Sequence, residues 1–289
     1  MTTGKQAKPT IKRRRIGALL RHYREAHRPK ILSKVAAQRI GVDPVLLGRI
    51  ERGEYRIKPE QIEALLDLYG VEDPDVYTEL RAAALEPLDS GWWYPYRHKL
   101  SPTFLDFVAL ESEAREILAV TPAGISGLLQ SMSYAKEIQE TDPISEIRED
   151  ADMYVQVRLS RQQAIVRSRN PAHLRCILPE AAFHSRSLSM ADQIQHLLSL
   201  MLQDNVHIQV MPMDVPVGQQ IDVQCNLLKF SAPWNPVMQT SVLGGGVLRE
   251  DPVTIQAAES RFEALARAAL PVDRTREFLE ERLNKLREH

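Results

Sequence analysis

The apolar residues in the first third of the chain recur every three or four positions, in short runs that end at glycine or proline. This spacing is typical of amphipathic helices, and the glycines and prolines mark where each helix starts or stops. Five short helices are predicted: one from Arg15 to about Pro29, three over 32–40, 44–52 and 59–69, and one from Asp73 onward. We expect the second helix to bury Leu32, Val35, Ala36 and Ile40, and the first to leave Arg24 outside its apolar face.

The turn between the second and third helices carries the clearest local signal. Gly41 ends one helix, and Asp43 followed by Pro44 favours the start of the next, because aspartate caps a helix and proline suits its first position. Two helices joined by a short glycine-containing turn are typical of a helix-turn-helix. The third helix would bury Leu47 and Ile50 and turn its other face outward.

Beyond residue 102, helical periodicity alternates with short strand-like runs. Helices are predicted at 103–118, around Tyr134, from 142 to 169, and at 190–203, 252–270 and 273–288. Strands are predicted at 118–121, 174–178, 206–212, 223–230 and 237–243, followed by a hairpin turn at the glycines 244–246. The predicted fold class is a mainly α, five-helix helix-turn-helix domain followed by an α+β domain with an antiparallel or mixed sheet.

The length of 289 residues suggests two domains. The predicted limits are a basic disordered tail at 1–14, a helix-turn-helix domain at 15–88, an aromatic linker at 89–102, and an α+β domain at 103–289. We refer to residues 15–88 as the head and to residues 103–289 as the body.

Composition narrows the class of protein. Hydrophobic residues make up 44% of the chain and charged residues 26%, which is ordinary for a soluble globular protein. No run approaches eighteen apolar residues, so no membrane span is expected, and the basic N-terminus lacks the apolar segment of a secretory signal. Two cysteines do not suffice for a disulfide framework or a thiolate zinc site. We expect a cytoplasmic protein.

The net charge of −1 conceals a strong asymmetry. Residues 1–60 hold 16 lysines and arginines and 5 aspartates and glutamates, a balance of +11. The other residues hold 21 basic and 33 acidic side chains, a balance of −12. A basic segment before an acidic one indicates a polyanionic partner, and double-stranded DNA is the default.

The outward face of the third helix would be Val45, Gly48, Arg49 and Arg52, at spacing i, i+3, i+4 and i+7. In a helix-turn-helix this helix lies in the major groove. Arg49 is either a base-reading residue, through guanine O6 and N7, or a phosphate contact or solvated side chain. Further DNA contacts are expected from Ser33, Lys34, Arg39, Arg52, Arg56 and Lys58, and from Arg13, Arg14 and Arg15 if the N-terminus forms a DNA-binding arm rather than a disordered tail.

The head resembles the Xre (Cro/CI-type) helix-turn-helix family over about residues 15–70. The resemblance is carried by the segment AAQRIGVDPVLLGRIERGEYRIKPEQIEALLDLYGV. The matching positions are Ala37, Gly41, Val42, Leu47, Ile50, Glu51, Gly53 and Pro59. Leu32 stands where the family has a capping threonine, and Val45, Leu46 and Gly48 stand where it has polar base-reading residues.

The body also resembles a known domain. Its segments FVALESEA, ISGLLQS, RLSRQ and QVMP resemble an uncharacterised C-terminal domain that commonly follows an Xre head in actinobacterial regulators. The resemblance implies a DNA-binding regulator, often paired with a small partner protein encoded nearby. Gln239, Thr240 and Ser241 stand where that domain often has an acidic residue.

Two further groups are candidate partner or ligand contacts. Trp92 and Trp93 belong to an aromatic cluster that either forms a stacking platform or packs the linker onto a core. Arg158 and Arg161 either bind an anionic effector or partner, or pair with the acidic residues at 146–152.

Catalytic and metal-binding motifs are missing from the sequence. The histidines lack metal-ligand spacing, and Glu111, Glu113 and Glu116 read more simply as a solvated helix face than as acid–base carboxylates. We expect no cofactor, no metal and no enzymatic activity.

The first hypothesis is a sequence-specific transcriptional regulator that binds DNA as a homodimer, with the body for dimerisation and for sensing a partner or ligand. The alternative is an antitoxin-like interaction module that sequesters a small partner protein and autoregulates through its head.

Overall fold

The computed structural model describes residues 10–85, 91–144, 149–166, 170–242 and 245–288. The chain divides into two compact units. One comprises Met1–Tyr94 with Ala232–Trp234, and the other Pro95–Ser231 with Asn235–His289. The domain limits given by the sequence stay predictions.

The first unit is a bundle of short helices around a leucine-rich core. They are α1 (Ile11–Ala26), α2 (Ser33–Arg39), α3 (Pro44–Glu51), α4 (Pro59–Leu68) and α5 (Pro74–Leu85). Leu20, Leu47, Leu65, Leu66 and Leu80 are fully buried in this core. The five predicted helices are therefore present.

The first helix starts earlier than expected. Thr10 caps α1, its hydroxyl accepting from the Arg13 amide at 3.4 Å, and the helix begins at Ile11. Residues 11–14 are therefore helical and do not belong to a disordered tail, whereas residues 1–9 lie outside the described residues.

Two expectations about burial in the first unit were wrong. Leu32 and Val35 are 67% and 45% exposed, because α2 starts only at Ser33 and buries Ala36 and Ala37 instead. Arg24 is buried rather than outward, since a carboxylate on α3 neutralises it.

The second unit contains a six-stranded mixed sheet with helices. In chain order the strands are β1 (Glu116–Val120), β2 (His173–Pro179), β3 (Val206–Met211), β4 (Cys225–Lys229), β5 (Val237–Val242) and β6 (Gly245–Arg249), and their spatial order is β3-β2-β1-β4-β5-β6. The pairs β1–β2 and β2–β3 are parallel, and the other three pairs are antiparallel. The predicted α+β fold class is confirmed, with the mixed form of the sheet.

Helices join and cover these strands. They are α6 (Pro102–Glu113), α7 (Met132–Glu140), α8 (Ala151–Val166), α9 (Met190–Leu200), α10 (Pro252–Ala268) and α11 (Val272–Arg287). The parallel pairs require crossover connections, which α7 with α8 and then α9 supply. On one sheet face, Leu118, Val120 and Leu227 pack against Phe262 and Leu265 of α10.

The two cysteines flank the central strand on opposite faces of the sheet. Cys176 pairs with Ala119 and Cys225 with Val120, and neighbouring residues of a strand point to opposite sides. Burial raises the pKa of the Cys176 thiol to about 12 and that of Cys225 to about 11.

Three body elements differ from the sequence pattern. The long helix predicted from 142 is interrupted by a turn at Asp150, and α8 begins at Ala151; residues 145–148 and 167–169 are outside the described range. Strand β6 was missed. It pairs antiparallel with β5, but Gly245 and Gly246, which were predicted to lie in the turn, belong to β6, and residues 243–244 between the strands are not described. The helix predicted to reach residue 118 ends at Glu113, because β1 begins at Glu116.

Candidate nucleic-acid interface

The turn between α2 and α3 is built from local hydrogen bonds. Gly41 has φ +67°, a left-handed conformation that glycine adopts without strain. The Val42 amide donates to the Ala37 carbonyl at 3.0 Å, which closes the end of α2. The Asp43 carboxylate accepts from the Leu46 amide at 2.8 Å and caps α3, whose first residue is Pro44. This geometry fixes the angle at which α3 leaves α2.

Close backbone contact with α1 holds α3 in place. A Cβ on Gly17 of α1 would lie 2.4 Å from the Ile50 carbonyl oxygen, so only glycine fits there. Gly53, which follows α3, has φ +72°, and a Cβ there would lie 2.6 Å from the Arg14 nitrogen. The two helices therefore touch backbone to backbone at both sites.

A buried ion pair joins the same two helices. Arg24 Nε donates to Glu51 Oε1 at 2.7 Å and Nη2 donates to Oε2 at 2.9 Å. Each side chain is 6% exposed, and Arg24 also donates to the Ile31 carbonyl at 3.2 Å. Because Glu51 is the last residue of α3, this pair fixes the helix at the end opposite to its cap.

The outward face of α3 carries the predicted residues. Val45 is 74% exposed, and Gly48 and Arg49 are partly exposed. Arg52, also exposed, follows the last helical residue and lies at the C-cap. The structure therefore presents one apolar and two cationic side chains on the surface that the sequence singled out.

Glu54 brings the two arginines together. Its carboxylate accepts from Arg52 Nε at 2.8 Å and from Nη2 at 3.0 Å, and Arg49 Nε lies 3.9 Å from Oε2. The hydrogen bond from Arg52 holds the pKa of Glu54 below its usual value. The Arg49 guanidinium also lies 5.7 Å from the centre of the Tyr55 ring. Sequence reasoning missed Glu54 and Tyr55; the signal was an acidic and an aromatic residue directly after the basic pair.

The other predicted DNA contacts are exposed or partly exposed, but some of their side chains already bond to the protein's own backbone. Ser33 and Lys34 are the first residues of α2; Ser33 is partly exposed and Lys34 is exposed. Arg39 Nε donates to the Ala64 carbonyl on α4 at 3.3 Å, and Arg56 Nη2 donates to the Ala84 carbonyl on α5 at 3.0 Å. Lys58 is an exposed residue that precedes α4. Arg39 and Arg56 thus contact their own chain, whereas Lys34 makes no such contact among the described residues.

The three N-terminal arginines form no extended arm, because all of them lie on α1. Arg14 is exposed, whereas Arg15 is buried with its guanidinium 5.2 Å from the Trp234 ring centre. Burial and the nearby charge of Arg56 lower the pKa of Arg13. Among the described residues, the buried Arg13 Nε has no hydrogen-bond acceptor. Arg13 and Arg56 are therefore neighbouring cations, and neither forms an ion pair with a carboxylate of the described residues.

The linker aromatics contact each other. The Trp92 and Trp93 rings meet edge to face, with their centres 5.8 Å apart, and both are partly buried. A Cβ on Gly91, where φ is +119°, would lie 2.6 Å from the Trp93 ring. A short 3₁₀ turn, Tyr94–Tyr96, follows them.

The two body arginines have different surroundings. Arg161 pairs with Glu111, with hydrogen bonds of 2.7 and 2.9 Å, and Glu111 is 1% exposed. The expectation of a solvated glutamate face holds for Glu113, which is exposed on α6. It was wrong for Glu111, which is buried as the counter-ion of Arg161, and for Glu116, which lies on β1. Arg158 faces the neutral amide of Gln139.

Two features are absent from the described ranges of the chain. There, the helices are too short or too polar to cross a membrane. In the same ranges, histidine, cysteine and acidic side chains do not gather in groups of three that could hold a metal ion.

Comparison with protein families finds a match in each unit. Residues 15–80 match a model described as a helix-turn-helix domain, and residues 104–281 match one described as a domain of unknown function (DUF5753). Searches of curated proteins and of solved structures found no match. The second family model covers more than half of the 289 residues. The chain therefore belongs to the family that carries the domain of unknown function DUF5753, here preceded by a helix-turn-helix domain.

Proposed function

We propose that the protein is a cytoplasmic, sequence-specific transcriptional regulator of the Xre type, which inserts α3 into the major groove of DNA. It binds as a homodimer, since one helix-turn-helix covers half of a two-fold symmetric site. The body supplies the dimer contacts and senses a partner or ligand. The helix-turn-helix match at residues 15–80 supports the DNA-binding part of this proposal.

The observation that carries the proposal is the rigid presentation of Arg49 and Arg52. Helix α3 is capped at Asp43 and fixed to α1 at Gly17 and through the Arg24–Glu51 pair. A reading helix must be held in one orientation, because base recognition depends on side-chain placement within fractions of an ångström. The bond of Arg52 to Glu54 orders its guanidinium before DNA arrives.

The proposed roles of the side chains follow from their chemistry. Arg49 or Arg52 reads guanine through a two-pronged hydrogen bond, and the exposed Val45 contacts a thymine methyl group. Phosphate contacts, which set the register, come from Ser33, Lys34, Arg39, Arg56, Lys58 and the α1 arginines Arg13 and Arg14. Arg39 and Arg56 exchange their present backbone acceptors for phosphate oxygens, and the buried Arg15 acts by positioning α1.

A double substitution tests the proposal. Arg49→Ala with Arg52→Ala should weaken binding to operator DNA by about 100-fold or more, since two base or phosphate contacts are lost. The operator is first selected from genomic fragments with the full-length protein, and affinity is then measured by fluorescence anisotropy. Arg81→Ala is the matched control, because Arg81 is an exposed arginine paired with Glu63 on α4.

The control should bind like the unsubstituted protein, and circular dichroism should show that all variants are folded. Unchanged affinity of the folded double variant would show that α3 is not the reading element. Stable co-purification of a small neighbouring gene product, together with loss of selective DNA binding, would favour the antitoxin-like alternative.

A further inference from the structure

Two arginines of α8 lie close together against the segment that precedes α7. The position that a Cβ on Gly127 would occupy is 3.1 Å from Arg161 Nη1 and 4.0 Å from Arg158 Nε. Gln162 of the same helix donates to the Gln130 carbonyl at 2.6 Å and so fastens the segment to α8. The two guanidinium groups therefore share one small region of the body.

One of the two charges is fully compensated. Arg161 forms its two-pronged bond with the buried Glu111 and lies 5.2 Å from the Phe107 ring centre. The carboxylate raises the pKa of Arg161 despite the opposing effect of burial. Arg161 thus belongs to a structural ion pair, and its charge is already neutralised by Glu111, so it is a poor ligand-binding residue.

Arg158 is not compensated in this way. With the Gln139 amide turned so that its oxygen faces the guanidinium, Arg158 Nη1 and Nη2 both donate to it, Nη2 at 2.9 Å. Within the described residues, no carboxylate forms an ion pair with Arg158. Burial, and then the charge of Arg161, lower the pKa of Arg158 to about 10, and the opposing effects of Asp142 and Tyr154 are smaller. The side chain is therefore a partly buried cation whose direct partner is neutral.

Such an arrangement costs stability, because a charge withdrawn from water needs a counter-charge. A neutral side chain at position 158 would pack there at lower cost. A second polar group of the region is also unsatisfied: the buried Gln130 side-chain oxygen has no hydrogen-bond donor among the described residues. A buried polar group without a partner in a folded protein calls for an explanation, and a bound ligand is one such explanation.

We propose that Arg158 is the anion-binding residue of a site for a small monocarboxylate in the body. This inference deepens, and rests on, the sensing role proposed above for the body. The planar guanidinium matches a carboxylate through two parallel hydrogen bonds. Among the described residues no carboxylate pairs with this charge, and Asp142 adds a negative potential, so the site favours a single negative charge over a doubly charged phosphate.

Thermal unfolding of the full-length protein tests the inference without DNA. The probes are sodium acetate, lactate and benzoate, compared with sodium phosphate and with chloride at equal ionic strength. The variants are Arg158→Gln, which removes the charge, and Arg158→Lys, which keeps it without the planar fork. Arg282→Gln is the matched control, because Arg282 is a partly buried body arginine whose Nε donates to a neutral group, the Phe183 carbonyl at 2.9 Å.

In chloride, Arg158→Gln should raise Tm by about 2 °C or more, whereas Arg282→Gln should leave it unchanged or lower it. At least one monocarboxylate should raise the Tm of the unsubstituted protein above its value in chloride. The same monocarboxylate should raise the Tm of Arg158→Lys by a smaller amount and should leave the Tm of Arg158→Gln unchanged. A lower Tm of Arg158→Gln in chloride would show that Arg158 only supports the fold.

Greater stabilisation by phosphate than by every carboxylate would overturn the assignment of the ligand. Equal responses of the unsubstituted protein and Arg158→Gln to all carboxylates would overturn the site itself. None of these results bears on DNA binding by the head, so failure here is distinguishable from failure of the proposed function.

Discussion

Arg24 and Glu51 show how much depends on a single pair of side chains in the head. Both are almost fully buried, and their two hydrogen bonds link α1 to the end of α3. Tyr69 lies nearby, and burial followed by the charge of Glu51 raises the pKa of its hydroxyl. A buried ion pair of this kind adds little net stability compared with apolar residues of similar size. Removing one partner is costly, because the other charge is then buried without a counter-ion.

Glu51→Ala should therefore lower the free energy of unfolding by about 3–5 kcal/mol, measured by urea denaturation of the full-length protein. Arg24→Met combined with Glu51→Leu should recover most of this loss, because neither charge remains. Glu63→Ala, which breaks the exposed pair with Arg81, should cost less than about 1 kcal/mol. Equal costs for Glu51→Ala and Glu63→Ala would contradict this account.

At the scale of elements, a single carboxylate ties α7 to the segment before α9. Glu137 accepts from the Leu188 amide at 2.9 Å, from the Ser189 amide at 3.0 Å and from the hydroxyls of Ser187 and Ser189. Burial alone would raise the pKa of Glu137, but these hydrogen bonds outweigh it and hold the pKa below its usual value. The ionised form therefore stabilises the folded state.

Because the folded pKa is depressed, this stabilisation is complete above the unfolded value of about 4.3 and is lost as pH falls through the folded pKa. Glu137→Gln should be less stable by about 1–2 kcal/mol at pH 7, since charge-assisted hydrogen bonds weaken. The difference from the unsubstituted protein should persist at pH 5 and shrink below about pH 4, in denaturant titrations at each pH. Glu140→Gln, on the exposed side of the same helix, serves as control. A pH-independent difference would contradict the assignment.

Elements with local start and stop signals were predictable from the sequence. The cap at Asp43 with Pro44, and the glycine that ends α2, placed α3 within one residue of its observed bounds. Strand β6 was not predictable, because its two glycines disfavour a strand and pairing with β5 compensates for this. The burial of Arg24 was not predictable either, because its counter-ion Glu51 lies 27 residues further along the chain and local patterns do not show which residues meet.

For the candidate site, the sequence placed the outward face of α3 correctly but not its chemistry. The spacing of Val45, Arg49 and Arg52 predicted one surface, and these side chains are exposed or partly exposed there. Arg49 and Arg52 both approach the carboxylate of Glu54. This contact depends on how the chain turns at Gly53, and the spacing of apolar residues does not predict that turn.

At the scale of the whole molecule, charge is divided between an excess of +11 in residues 1–60 and −12 in the others. Attraction to DNA must therefore come from a local surface, because the net charge is −1. Such binding releases counterions from the duplex and weakens steeply with salt.

Lys34→Gln should lower affinity about equally for operator and unrelated DNA and reduce the slope of log affinity against log salt by about one. Anisotropy titrations over a range of potassium chloride concentrations measure both quantities. Lys136→Gln on the body is the matched control and should leave the slope unchanged, since this exposed lysine pairs with Glu140. A loss confined to operator DNA would instead make Lys34 a sequence-reading residue.

The placement of the cysteines on opposite sides of β1 has a practical consequence. Neither thiol is readily ionised at neutral pH, and the sheet itself separates them, so maleimide dyes should react slowly with the native protein. A cysteine introduced on an exposed surface would then take up most of the label without removal of the native pair. Fluorophores attached in this way would test the proposed homodimer by reporting the distance between two copies on one DNA fragment.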